Sequence, residues 1–462
     1  MPYLKPKTIS DLRELSSQLN TVIGATEDVS ILKEPVKVGK LTLPNSLVIH
    51  PMEGADGERT GGPGELTFRR YARFAAGGAG LIWFEAIAVA KNGRGNRRQL
   101  WINENNCLDF ASLIKHIHRK ATENTSGDGP VVIAQLTHSG RYSKGENGER
   151  KPLIAQNNPY LDSFTQQQQP GKAQTDKISQ AGEIVTDEQL DELIDAYVRA
   201  AKLAYEAGFD AIDIKACHGY LASELLACRS REGKYGGSFE NRTRFLLEII
   251  DRIRSELGGE REITCRLGIY DAIPYPYGWG VERDDYTKAD LTEPKRLIRL
   301  LEKRGVRMIN ITIGNPYVNP HYGRPYTKPT SGGYEQPEHP LAGVSRLINM
   351  AGEIQKEFSN LAIVGTGYSW LGTLMANVGA WSKANGMATL IGAGRMALAY
   401  PDFARDIIDK GRLDENKICT GCSCCSQIMR DGGMSGCVVR DKQVYGPIYK
   451  YGRTAKKRSG ND

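Results

Sequence analysis

No stretch of this 462-residue chain approaches the length of apolar sequence needed to span a bilayer, so a transmembrane anchor is excluded as a reading. The first fifteen residues carry charges where a secretory signal needs an apolar core. Charge of one sign is also scarce. The 61 Lys and Arg stand against 54 Asp and Glu, a net charge of +7, and the basic residues are dispersed, so the electrostatic footprint of a nucleic-acid binder is missing. No repeat with a period of 20–50 residues is visible, which excludes solenoids and propellers. These absences leave a soluble cytoplasmic protein, and a hydrophobic content of 40% is enough for a full-sized core. In a reducing compartment its nine cysteines are not expected to form disulfides. Five of them crowd into residues 419–437, and metal binding is the leading explanation.

From Leu41 to Arg412 short apolar, β-branched runs alternate with longer helical patterns, the signature of a parallel sheet covered by helices. Eight strands are expected, at Ser46–Ile49, Gly80–Phe84, Val131–Thr137, Phe209–Lys215, Ile263–Ile269, Met308–Ile313, Leu361–Gly365 and Met387–Ile391. Eight βα units of this length predict an α/β fold of the (β/α)8 barrel type. The third helix is announced by a capping box, Thr186 with Gln189, followed by apolar residues at helical spacing and by Gly208 as its left-handed C-cap. Two connections exceed simple turns. His138–Val185, with the polar run Gln166–Gln169, follows strand three, and Asn315–Pro340 follows strand six; both leave the end of the barrel where active sites are built.

Three strand ends carry polar clusters: Gln135 to Arg141, Lys215 to Tyr220, and Arg266 within an apolar strand five. A buried Arg needs an anion or acceptors. A reduced flavin offers both, because negative charge collects at its N1–C2=O edge, and Gln135 can read its amide-like edge as donor and acceptor. Strands seven and eight end in Gly365-Thr366-Gly367 and Gly392-Ala393-Gly394-Arg395, where barrels commonly hold phosphate on backbone N–H groups, with Arg395 as a charged clamp. Gly392–Ala397 also fits a dinucleotide fingerprint, but too few residues follow for a βαβαβ half-domain.

Leu41–Met52, Tyr71–Ile82 and Tyr235–Phe245, the last with its Tyr-Gly-Gly-Ser-Phe-Glu-Asn-Arg block, resemble the Old Yellow Enzyme family of FMN-dependent ene reductases. The resemblance implies that Pro51 and Met52 line the flavin, that Ala86 and Gln135 contact its rings, that Arg266 sits at the N1 edge, and that Gly367, Gly394 and Arg395 hold the phosphate. It places Tyr220 at the position of the proton donor that completes alkene reduction. The sequence departs from the family where a His/His or His/Asn pair binds the substrate carbonyl, since here the pair is Lys215 and His218. A lysine there can stabilise a developing enolate, bind a substrate carboxylate, or ion-pair in the wall. The segment Leu225–Arg231 is also shorter than the family's usual loop.

Cys419, Cys422, Cys425 and Cys437 form C-x2-C-x2-C-x11-C, the pattern of a [4Fe–4S] cluster; a zinc site built from four cysteines usually shows two well-separated C-x2-C pairs. The doublet leaves Cys424 as an alternative third ligand, and spacing selects Cys425. The segment resembles the cluster-bearing subgroup that includes 2,4-dienoyl-CoA reductase and trimethylamine dehydrogenase. Those relatives continue into nucleotide-binding domains, whereas here a basic tail at Lys456–Ser459 follows, so the expected electron donor is a separate ferredoxin or flavoprotein. The expected organisation is an N-terminal extension (1–40), an FMN barrel (41–414) and an iron–sulfur segment with its tail (415–462), and a homo-oligomer is compatible with it. The reading is an ene reductase acting on a small unsaturated carbonyl compound. Its rivals are an amine dehydrogenase or demethylase and a pure electron-transfer subunit.

Overall fold

A computed structural model describes residues 5–124, 129–162 and 182–458. The run Gln166–Gln169 lies outside the described residues, as do the end of the basic tail and the side chains of its preceding residues. Eight parallel strands close into a barrel: β1 (Leu47–Ile49), β2 (Leu81–Ala88), β3 (Val131–Thr137), β4 (Ala211–Ala216), β5 (Glu262–Tyr270), β6 (Met308–Ile313), β7 (Ala362–Gly365) and β8 (Leu390–Ala393), with β8 pairing back onto β1. The helices α1 (Glu65–Ala76), α2 (Cys107–Thr122), α3 (Asp187–Glu206), α4 (Phe239–Leu257), α5 (Thr292–Lys303), α6 (Pro340–Glu357), α7 (Met375–Ala384) and α8 (Phe403–Lys410) follow the strands in order. This is the (β/α)8 barrel that the alternation predicts. Among the described residues no helix is long and apolar enough to cross a membrane.

β3 and β6 fall on the residues expected for them, and α3 begins at the expected Thr186–Gln189 capping box. β8 starts three residues late, because the N–H of Met387 closes the end of α7 on Ser382 and the ladder to β7 begins only at Leu390. β2 runs four residues further than its apolar pattern suggests. Its register shifts between Trp83 and Ala86, and Glu85, within the shift, turns out of the barrel to pair with Arg70 of α1.

Strand parity organises the interior, since alternate residues point inward. The end of the barrel where the chain enters each strand is filled by Leu81, Trp83, Val131, Ile133, Ala211, Met308 and Val364. The antiparallel pair Val36–Val38 and Leu41–Leu43 covers that end with Val38 and Leu43. Two residues further along the same strands the inward positions become polar: Gln135 follows Ile133, Asp213 follows Ala211, and Asn310 follows Met308. The N-terminal helix Ile9–Gln18 and the cysteine segment rest on the outer core, with Leu12 and Leu32 buried in it and Cys419, Cys425 and Cys437 packed against it.

The connection from β3 to α3 is pinned by Arg141, which is fully buried, ion-pairs with both Asp162 and Glu224, and donates to Gln156 O at 2.8 Å. Removing the guanidinium strands two buried carboxylates, so Arg141→Ala should lower stability by about 3–5 kcal/mol, measured as a shift of the urea midpoint. A loss under about 1 kcal/mol would mean that the connection is held elsewhere.

Candidate active site

The polar layer opens into a cleft of about 720 Å3 at the C-terminal ends of the strands. Its walls are His50, Pro51 and Met52 after β1, His218 after β4, Arg266 on β5, Thr366 and Gly367 after β7, and Gly394 and Arg395 after β8, together with Arg324 and Pro325 from the long β6–α6 connection. No carboxylate is among the lining residues, whereas three guanidiniums are. His50 Nε2, Arg266 Nε and Arg395 Nη1 are buried without a hydrogen-bond partner among the described residues. Burial lowers the pKa of Arg266, against the opposing pull of Cys217 and Asp213. A planar ligand carrying acceptors and negative charge is what such a cleft fits, and a flavin phosphate has these properties.

Of the residues expected at the flavin, Pro51, Met52, Arg266, Gly367, Gly394 and Arg395 come together here. Ala86 and Gln135 do not line the cleft. Gln135 donates to Asp213 Oδ2 at 2.7 Å, Trp83 Nε1 donates to the same oxygen at 3.0 Å, and the carbonyl of Ala86 accepts from Gln99 at 3.2 Å. Burial pushes Asp213 up to about 6 despite these donors. The phosphate cradle also differs from expectation. The helix after β8 is only five residues long, and the N–H groups of Gly394 and Met396 both donate to Ser369 Oγ at 3.2 Å, leaving the Arg395 side chain as the charged donor. Gly367 sits at φ +100°, a conformation that requires glycine. Gly392 is needed for space, because a Cβ there would lie 2.0 Å from His50 Nε2.

Beside the cleft, Lys215 points inward on β4, two residues after Asp213, and is buried. Its Nζ stands 3.5 Å from the ring centroid of Tyr220, and burial brings its pKa down to about 8, partly offset by Cys217 and by Glu53. Glu53 is raised by its own burial and accepts from Asn96 at 2.7 Å. Tyr220 caps the short helix Leu221–Leu226, and its hydroxyl lies 3.3 Å from that of Tyr317. The Tyr317 ring stacks on Tyr142 at 3.6 Å, and Asn315 donates to the Tyr142 hydroxyl at 3.1 Å. Burial first, then Tyr317, raises Tyr220 well above the usual phenol range, so the phenol keeps its proton. His218 adopts φ +67°, is neutral because burial and Arg266 drive its pKa down, and lies with Nε2 3.5 Å from Thr312 Oγ1.

The sequence reading missed His50, whose Nδ1 lies 3.2 Å from Asn310 Nδ2, along with Asp213, Glu53, Tyr142, Tyr317 and Arg324. Strand parity would have flagged Asp213 and Asn310 as inward polar residues. The loop residues carry no such signal.

The five clustered cysteines line a second pocket, of about 360 Å3, whose wall includes Arg395, so this one residue borders both cavities. Cys425 feels the charges of Cys419 and Cys422, and Cys437 feels those of Cys419 and Cys425. Cys424 interacts with Cys422, Tyr449 and Cys425 but is not among the groups acting on Cys437; its thiol donates to Cys422 and helps bring that group down to about 5. Among the described residues no three His, Cys, Asp or Glu side chains converge tightly enough for a single metal ion. A four-iron cubane has a different requirement, one thiolate per iron at the corners of a wider tetrahedron. The β6–α6 connection is laced onto the segment: Thr327 N and Lys328 N donate to Gly421 O at 3.0 and 3.2 Å, and Ser423 Oγ donates to Lys328 O at 2.7 Å.

Comparison with known proteins agrees with the barrel and its cleft. Residues 32–296 match the NADH:flavin oxidoreductase / NADH oxidase family. An NADPH dehydrogenase of Clostridium acetobutylicum is 32% identical over 241 residues, 52% of this chain and 64% of that protein. Among solved structures, 2-naphthoyl-CoA reductase in complex with 2-naphthoyl-CoA superposes with a TM-score of 0.70 at 20% identity, over 91% of this chain and 58% of that one. Histamine dehydrogenase from Rhizobium sp. 4-9 does so with a TM-score of 0.65 at 19% identity, over 90% of this chain and 53% of that one. The chain thus spans less than two thirds of the length of these relatives. With more than half of its residues matched, over the part that carries β1 to β5, the chain belongs to the NADH:flavin oxidoreductase / NADH oxidase family.

Proposed function

We propose that the protein is an FMN-dependent ene reductase acting on a carbon–carbon double bond conjugated to a carbonyl, and that its electrons arrive from a separate ferredoxin or flavoprotein through a [4Fe–4S] cluster. The observation that carries this reading is a buried phenol, Tyr220, held protonated with its ring centroid 3.5 Å from the buried Lys215 Nζ, next to a cleft lined by three guanidiniums. Bound in the cleft, FMN would supply hydride-transfer chemistry toward the β-carbon of the substrate. Pro51, Met52, Arg266, Gly367, Gly394 and Arg395 would hold it, with the Arg395 guanidinium on its phosphate. Gln135 orders the wall through Asp213, and Ala86 belongs to that wall.

The chain's own residues do the rest. Tyr220 Oη hands its proton to the α-carbon, and Tyr317, 3.3 Å away, can return one. Lys215 and the neutral His218 receive the carbonyl oxygen, where a cation in a dry pocket favours the developing negative charge. Cys419, Cys422, Cys425 and Cys437 are the cluster ligands in this reading. Their mutual electrostatic neighbourhood supports Cys425 over Cys424 as the third, and Arg395 and Arg324 beside them suit an anionic occupant. The organisation that follows is a barrel over 41–414 and a cluster segment over 415–462.

The fold is equally compatible with amine oxidation, given the likeness to histamine dehydrogenase. Lys215 disfavours it, since a buried ammonium at the substrate position repels a cationic amine. An aryl or enoyl carbonyl substrate, of the kind named for 2-naphthoyl-CoA reductase, meets no such repulsion.

Tyr220→Phe should cut alkene reduction by roughly 10²- to 10⁴-fold while leaving reduction of the bound flavin by dithionite intact. Stopped-flow reoxidation of the reduced flavin by an enone reads this, and an unaffected rate would remove Tyr220 from the chemistry. Lys215 is charged below its folded pKa of about 8 and neutral above it. Turnover should therefore fall as pH rises through about 8, and Lys215→Met should be slower and lack that inflection; an inflection that persists in the variant would assign it to another group.

A further inference from the structure

Arg324 reaches from the flavin cleft to the cysteine segment. It sits in the β6–α6 connection, lines the flavin cleft together with Arg395 and Gly367, and donates through Nη1 to Ser426 Oγ, the residue next to Cys425. Its backbone is fixed from several sides: Arg395 Nη2 donates to Pro325 O at 2.5 Å, Gln336 Nε2 donates to Tyr326 O at 2.5 Å, and Thr327 is bonded to Gly421. The backbone from which the guanidinium extends is thus held against the cysteine segment.

The charges acting on Arg324 are Arg395, Cys425, Arg430 and Tyr326, with no carboxylate among them. Two guanidiniums brought together in a partly buried place repel each other, and each loses hydration. Arg395 moreover keeps one terminal nitrogen without a partner among the described residues. Among the described residues no carboxylate ion-pairs with either guanidinium, and anions on the open sides of the pair would relieve it. One side is the flavin cleft and the other faces Ser426 and Cys425 of the cysteine segment.

We propose that Arg324 is a cationic ligand shared by both redox groups, paired with the flavin phosphate on its cleft side and with the thiolate-bound cluster on its Ser426 side, so that it governs flavin retention and cluster potential together. This rests on the reading that FMN fills the cleft and a cluster fills the cysteine pocket. Neither the motif nor the strand pattern marks this arginine; its role follows from the way one connection reaches both cavities.

Arg324→Gln should weaken FMN retention roughly tenfold or more, the effect of losing a charge-assisted hydrogen bond, read as free flavin fluorescence released on dilution of the purified holoenzyme. In the same variant the cluster should become harder to reduce, because a nearby positive charge has gone; a redox titration followed by electron paramagnetic resonance reads this as a shift to more negative potential. Arg324→Lys keeps the charge without the planar fork, so it should restore the potential and only part of the flavin retention. Flavin release or cluster potential unchanged from wild type in Arg324→Gln would overturn the shared role. A wild-type protein with no cluster signal would instead refute the underlying cofactor reading, so the two failures are told apart.

Discussion

Positive charge buried at the mouth of the barrel is the constraint on which the rest of the site depends. Arg266, Arg324 and Arg395 all face the cleft, Lys215 stands beside it, and no carboxylate lines it. Burial brings Arg266 and Lys215 below their ordinary pKa values and holds Arg324 down to about 10. A chain that keeps four such groups in poorly hydrated places does so at the expense of its own stability unless anionic ligands compensate. Anionic ligands that bind only the folded state would return that stability by linkage.

This constraint also separates the two halves of the barrel. Toward the ends where the strands begin, inward positions are apolar and packed around Trp83 and Ile133. Two residues further on, the same parity delivers Gln135, Asp213, Asn310 and Arg266 to one polar layer. The layer is knit from within: Gln135 and Trp83 share one Asp213 oxygen, and His50 meets Asn310 across the space that Gly392 leaves open. Second-layer support of this kind holds cleft-facing groups in one orientation, which is what catalysis by positioning requires.

Much of this was legible in the sequence, for identifiable reasons. The βα alternation located all eight strands because each is a short apolar run bounded by turn residues, and β8 was displaced only because Met387 belongs to the closing turn of α7. Arg266 stood out as a lone cation in an apolar strand. Gln135 was equally visible, but its partner Asp213 was not, since a single acidic residue in a strand does not reveal whether its neighbours across the sheet are donors. Tyr317 and Arg324 were hidden for another reason. They lie in a connection without periodicity, and their importance comes only from where it is laced, through Thr327, Lys328 and Ser423, to the cysteine segment.

In the proposed reading one barrel holds a flavin and a four-iron cluster side by side across Arg395. Cofactor analysis of the anaerobically purified protein tests it most directly. About one FMN, four iron atoms and four acid-labile sulfides per chain are expected, with a visible spectrum in which a flavin band rides on broad iron–sulfur absorbance. Flavin accompanied by zinc, or by no metal at all, would contradict it.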